Sequence, residues 1–185
     1  DHHVGRVERC GELLVDLAYD VTGLCESPDA VISGRRTIPK ADLLSWRSDR
    51  RDLADGSPFD FVLVTDPAAY RGNLLGLSAR LQTSHLLSLA KPGARLVFLR
   101  PLQGHARHEA SCWQRHMGCF PGEVSSAVLR PAWSRWLPWP RIRPDEAPVL
   151  ALTLSTPTYG LTRDEWNRFA QRGLLTDRRL CCGLA

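Results

Sequence analysis

The sequence predicts an α/β fold: a mostly parallel sheet with helices on both faces and an antiparallel strand pair at its C-terminal edge. Three observations carry this expectation. Helical stripes alternate with short apolar runs along the chain, as in layered α/β domains. The run "FDFVLVT" places four apolar residues in succession, the mark of a strand covered on both faces. The last two strand-like segments, "VSSAVLR" and "PVLALTLS", follow one another with no strong helix between them, as an antiparallel edge pair would.

Taken in order, Val4 to Ala18 has apolar residues at 4, 7, 10, 13, 14 and 17, a period near 3.6. "DVTGL" is a strand ended by the turn signal "ESPD". A short helix starts in Pro28 to Gly34, and "ADLLSW" supplies a short strand around Ala41 to Leu44. The charged segment "RSDRRDLADGSP" is a surface connection to the strand "FDFVLVT". Leu74, Leu77, Leu81, Leu86 and Leu87 then give a helical stripe that "KPG" should stop. "ARLVFLRP" is a further buried strand, and a helix from about Ala106 to Gly118 is stopped by "FPG". The final helix, "TRDEWNRFAQRG", has Thr162 as N-cap, Glu165 completing a capping box and Gly173 at its end.

The 185 residues fit one domain, 1–185, with 43% hydrophobic and 24% charged residues, ordinary values for a globular protein. No apolar run approaches the roughly 18 residues that span a bilayer, and "DHHVGRVERCGELL" has no apolar centre like that of a signal peptide. A cytoplasmic location follows as an expectation. So does a chain truncated at its N-terminus, because it opens on Asp1 rather than Met. The six cysteines show no disulfide framework and read as reduced thiols, with the Cys181–Cys182 pair exposed. The net charge of +4 is concentrated between Arg100 and Asp145, where seven arginines stand against three acids. Trp133, Trp136 and Trp139 recur every third residue within the stretch from Pro131 to Pro148, which holds five prolines. In an extended chain such spacing lines the rings along one side, a surface for a partner protein or a cleft. The same Arg and Trp residues suit nucleic acid less well than packing on the domain itself.

The order of segments resembles the class I S-adenosylmethionine-dependent methyltransferases, a Rossmann-like family whose sheet ends in an antiparallel strand pair. "LAYDVTGLCESPDAV" is similar to the family's second strand and acidic turn, and "ADLLSW" to its short third strand. "FDFVLVTDP" is similar to the fourth, and "LLSLAKPGARLVFL" to the L-K-P-G-G-R-L-V passage into the fifth. Together these run from Val4 to Thr156. The family's first strand and glycine-rich loop have no counterpart: only "DHHVGR", with Gly5 as its one glycine, precedes the first helix. Without that strand, two half-sheets would keep unpaired inner edges.

The resemblance implies S-adenosylmethionine as cofactor and assigns roles by position. A carboxylate at the end of the second strand accepts both ribose hydroxyls. Cys25 is too weak an acceptor for this, which leaves Glu26, one residue further on. Asp42 in the third strand stands where the family approaches the adenine, and Gly5 is all that remains of the methionine-end loop. Asp66, at the C-terminal end of a buried strand, and Tyr70 line the acceptor side; "TDPAAY" is similar to the amine-methylating motif D-P-P-Y without its second proline. The missing loop predicts weak or no cofactor binding by these residues alone. A degenerate methyltransferase fold, retained as a structural or regulatory subunit, is the rival reading. A flavodoxin-like receiver domain fits the terminal strand pair poorly. His105, His108, Cys112, His116 and Cys119 share one side of a helix, but one straight helix does not surround an ion, and no metal is expected. His116 has a second possible role, as a general base beside the cleft. Neither a G-x-S-x-G elbow nor a phosphate-binding loop occurs.

Overall fold

A computed structural model describes residues 13–25, 28–45, 59–65, 70, 73–101, 106–129 and 149–182. The chain divides into two compact units, Asp1–Asp52 and Leu53–Ala185.

The first unit holds a helical turn, α1, described over residues 13–16, followed by β1 (Thr22–Cys25), α2 (Pro28–Thr37) and β2 (Asp42–Ser45). β1 and β2 pair in parallel, with Thr22 opposite Asp42 and Cys25 opposite Ser45. Two parallel strands need a crossover, and α2 provides it, with Pro28 at a first-turn position where its missing N–H is harmless. Val31, Ile38, Ala41 and Leu43 form the buried core, and Val15 and Val21 pack against it.

The second unit contains β3 (Phe59–Thr65), α3 (Leu77–Ser88), β4 (Ala90–Pro101), α4 (Ala106–Met117), β5 (Glu123–Leu129), β6 (Val149–Ser155) and α5 (Arg163–Cys182). Its sheet runs in the order β3-β4-β6-β5. β3 and β4 are parallel, with Val62 opposite Leu96 and Val64 opposite Phe98. β6 lies antiparallel beside β4, and β5 antiparallel beside β6. Short apolar strands in an α/β order with a terminal antiparallel pair are what the sequence predicts.

One face of this sheet carries the core. Leu96, Phe98, Leu150, Leu152 and Leu154 are buried, while their neighbours along β4 and β6 are only partly covered or exposed. β6 alternates strictly between buried and half-buried residues, the pattern of a strand packed mainly on one side. β3 departs from its expected burial: Phe61 is exposed, Val62 and Leu63 are half-buried, and only Val64 is fully buried. Its apolar run reflects strand-forming residues more than burial on both faces. A chain of rings leads from the sheet into the helices. Phe98 meets Tyr70 and Trp113 at 5.3 and 5.1 Å, and Phe120 and Trp166 continue the line toward Phe169.

Three details differ from the sequence reading. "KPG" does not stop α3, which ends at Ser88, but opens β4 as an irregular bulge. The register with β3 jumps from Ala90 to Arg95 while β3 advances from Phe59 to Phe61. Gly93 takes a φ of 78°, and the Thr156 hydroxyl lies within hydrogen-bond distance of the Lys91 and Ala94 carbonyls. The capping box at Thr162 and Glu165 is formed: the Thr162 amide donates to Glu165 Oε2 at 2.8 Å and the Glu165 amide to Thr162 Oγ1 at 3.3 Å. Yet α5 does not end at Gly173 but runs on to Cys182. A Cβ at Gly173 would fall inside van der Waals distance of Arg80 Nη1 and Cys119 Cβ, so this glycine permits close packing rather than a helix stop.

The third difference is the orientation of α3. Of the expected stripe, Leu86 and Leu87 are buried, but Leu77 and Leu81 are 38% and 36% exposed, whereas Arg80, Thr83 and Ser84 are at most 1% exposed. The helix turns a polar face inward, where Thr83 and Ser84 meet hydrogen-bond partners.

Candidate functional site

Open α/β sheets bind ligands beyond the C-terminal ends of their parallel strands. In the first unit that end is level across both strands, because Cys25 pairs with Ser45. Glu26 is the next residue in the chain and lies, with Gly5, outside the described residues. Asp42 is placed differently from the expectation. It is the first residue of β2, exposed, with its amide donating to the Val21 carbonyl at 2.9 Å. Three residues of strand, roughly 10 Å, separate it from the C-terminal end, so it stands at the wrong end of β2 to approach a nucleoside there. The sequence places an Asp in a short strand; only the strand's bounds reveal which end it occupies.

In the second unit Asp66 follows β3 directly and lies outside the described residues. Tyr70 is described, and it is a core residue, 2% exposed. Its hydroxyl lies 2.7 Å from Thr83 Oγ1, and Thr83 Oγ1 lies 2.8 Å from His116 Nε2. His116 Nδ1 is 2.7 Å from the Leu74 carbonyl. A carbonyl only accepts, so Nδ1 carries the proton and Nε2 of the neutral ring is an acceptor. Thr83 therefore donates to His116, the nearer acceptor at 2.8 Å against 3.2 Å for the Ala79 carbonyl, and accepts from Tyr70. The chain Tyr70 → Thr83 → His116 → Leu74 satisfies every polar atom in it. Burial pushes the Tyr70 phenol far above its ordinary range, and the hydrogen bond to Thr83 offsets only part of this. The phenol stays protonated and serves as a donor inside the fold.

Two members of the helical His/Cys group, His116 and Cys119, take part in contacts of this core. His116 is fully buried with both ring nitrogens engaged, so it faces the network and not a cleft. Cys119 Sγ donates to the His116 carbonyl at 3.0 Å. Among the described residues no three His, Cys, Asp or Glu side chains are placed to hold a metal. His105 lies outside the described residues, as do Trp133, Trp136 and Trp139.

Two further features were not anticipated from sequence. Arg100, near the C-terminal end of β4, pairs through Nε with Glu109 in the first turn of α4. The partly buried pair fixes the entry of α4 on the strand end. A cavity of about 30 Å³, room for about one water molecule, lies between the "KPG" bulge and residues 156–161, lined by Thr156, Tyr159 and Trp166 among others. It sits at the N-terminal end of β4, away from the end where α/β sheets hold ligands. No described helix is long and apolar enough to cross a membrane.

Of the two carboxylates that the resemblance assigns to the nucleoside, Asp42 lies at the opposite end of β2 from the C-terminal strand ends, and Glu26 lies outside the described residues.

No protein-family model matches the chain, and no characterised protein matches it by sequence. Among solved structures, the chain is similar to the Thermoplasma acidophilum protein 1320, with 13% identity, 76% of this chain and 68% of that chain covered, and a TM-score of 0.46. It is similar to the N-methyltransferase NodS from Bradyrhizobium japonicum WM9, with 15% identity, 75% and 74% coverage and a TM-score of 0.45. A TehB-like SAM-dependent methyltransferase from Corynebacterium glutamicum matches at 15% identity, 80% and 74% coverage, and a TM-score of 0.45.

Proposed function

We propose that the chain is a methyltransferase-like domain of the S-adenosylmethionine-dependent class. The observation that carries this reading is the strand order β3-β4-β6-β5, with β3 and β4 parallel and the last two strands antiparallel. That is the terminal arrangement the sequence resemblance implies. The parallel β1–α2–β2 unit, with its C-terminal ends level at Cys25 and Ser45, supports it independently.

In this reading Glu26 accepts the ribose hydroxyls of the cofactor, and Asp66 contributes on the acceptor side. S-adenosylmethionine supplies a methyl group already activated on a sulfonium, so the protein's part is to align and to exclude water. Tyr70 takes a supporting role: its ring packs on Phe98 and Trp113, and its hydroxyl is spent on Thr83.

A second reading, a non-catalytic methyltransferase fold kept as a structural subunit, is favoured by one observation in particular. Asp42 is exposed at the far end of β2, leaving Glu26 as the one carboxylate assigned to the nucleoside. Trp133, Trp136 and Trp139 would then serve a partner protein.

Titration calorimetry with S-adenosylmethionine tests the first reading at its assigned residue. The first reading expects weak binding that Glu26→Ala reduces by about tenfold, the loss of one charge-assisted hydrogen-bonded contact, with the far-ultraviolet circular dichroism unchanged. Binding of S-adenosylmethionine that Glu26→Ala leaves unchanged would overturn the first reading's assignment of the ribose contact.

A further inference from the structure

The outer strand β5 is uncovered to a degree unlike any other strand in the sheet. Six of its seven residues are exposed, and only Val124 is half-buried. Val128 and Leu129 are 48% and 51% exposed. Among the described residues β5 pairs with β6 alone, so its second backbone edge meets no other strand.

Proteins that leave such an edge in water usually protect it with a central lysine, a proline or a bulge. β5, "EVSSAVL", has none of these. Its one charge, Glu123, is at the first position, and its register with β6 is unbroken from Glu123 to Leu129. The other outer strand, β3, is a poorer candidate, because Val64 is buried and Asp60 is held by Lys91 at 2.7 Å.

The sequence of β5 is complementary to itself read backwards. A two-fold axis through Ser126 would set Val124 opposite Val128 of a second strand on one face. On the other face it would set Ser125 opposite Ala127. Both are compatible cross-strand pairs, and Ser126 would meet its own copy. Glu123 would lie at the margin, opposite Leu129, so no two acids would face each other. Antiparallel pairing of one strand with a second copy of itself is the isologous geometry that closes a dimer.

We infer that β5 is a self-association edge, by which two copies of this chain join their sheets into one through antiparallel β5–β5 pairing centred on Ser126. This goes beyond the functional reading above and holds for either version of it, since no cofactor residue takes part.

The register makes the test specific. Ser125 and Ala127 face the same way and are both exposed, and each would lie opposite the other across the axis. Ser125→Lys with Ala127→Lys puts like charges in apposition twice, and Ser125→Glu with Ala127→Glu does the same with acids. Sedimentation velocity over a concentration series should show a reversible dimer for the native chain. Each double variant should dimerise at least about tenfold more weakly, because two like-charged pairs then face each other across the axis. An equimolar mixture of the two should recover dimers, because lysines then face glutamates. Circular dichroism reports whether each variant keeps its fold. A native chain that stays monomeric across the series would overturn the inference, whether or not it captures a strand from another protein. Undiminished dimers in the folded lysine variant would overturn it too, as would a mixture of folded variants that fails to associate.

Discussion

Replacing Thr83 with valine keeps the side chain's shape and removes one oxygen. That oxygen stands in the middle of the buried chain from Tyr70 to His116, so its loss orphans two groups at once. The Tyr70 hydroxyl loses its acceptor, and His116 Nε2 loses its donor, each in a residue at most 2% exposed. An unsatisfied buried polar group costs about 1–3 kcal/mol, so Thr83→Val should cost about 2–6 kcal/mol. Tyr70→Phe removes the donor itself and leaves only an acceptor underused, for about 0.5–1.5 kcal/mol. The combination is the informative case. With both changes the Tyr hydroxyl is absent, and only His116 Nε2 remains orphaned, at about 1–3 kcal/mol. The double variant should therefore be more stable than Thr83→Val alone, by about 1 kcal/mol or more. Urea unfolding followed by circular dichroism measures all four corners of the cycle. If adding Tyr70→Phe lowers the stability of Thr83→Val further, the proton order assigned here is wrong, and Tyr70 contributes only as a packed ring.

Other outcomes follow from the same geometry. Burial, with the Arg163 charge adding to it, holds the His85 imidazole below its ordinary value of 6.5, so the unfolded chain binds more protons as pH falls. Stability should be fully present above about pH 6.5 and decline below it, and urea midpoints of His85→Asn should show a shallower decline. The raised Tyr70 phenol works at the other end: stability should fall as pH rises above 10, the ordinary value of the group, and Tyr70→Phe should flatten that alkaline loss. Gly173→Ala must push aside Arg80 and Cys119, so it should destabilise by about 1–3 kcal/mol, as overpacking does, even though alanine favours helices; a stabilised variant would show that α5 stands further from α3. Thr162→Ala should cost about 1 kcal/mol through loss of the cap, measurable as a lower thermal midpoint.

What the sequence disclosed and what it concealed divide along the range of the interactions. β3, β4 and β6 are local runs of strand-forming residues, and the Thr162–Glu165 capping box spans three positions, so each is visible in a short window. The inward face of α3 is not. Thr83 is paired with His116, 33 positions away, and Ser84 donates to Asn167, 83 positions away. A window centred on α3 contains neither partner, and its leucines at 77 and 81 advertise the wrong face. "KPG" misled for a related reason: its proline and glycine serve a bulge whose tether, Thr156, lies far along the chain. The site was legible to the same extent. The strand end at Cys25 could be read locally, while the end of β2 on which Asp42 falls depends on where pairing with β1 begins.

The polar inward face of α3 has a consequence for how firmly the second unit is specified. Apolar side chains pack in several registers at similar cost, since dispersion and burial are not directional. Hydrogen bonds are directional, and a buried one that is missed costs more than a made one gains. If α3 rotated to bury Leu77 and Leu81, it would turn out the buried Ala79 and Leu87 and carry Thr83 and Ser84 away from His116 and Asn167. The histidine would be left fully buried with a bare nitrogen. The observed orientation accepts two partly exposed leucines to keep those pairs closed. Tyr70 is drawn into the same choice, because its hydroxyl reaches Thr83 only when α3 faces this way. Tyr70, five residues after the end of β3, is thus tied to α3 and α4. A polar core that looks like an error of patterning in the sequence is the device that fixes which face α3 turns inward.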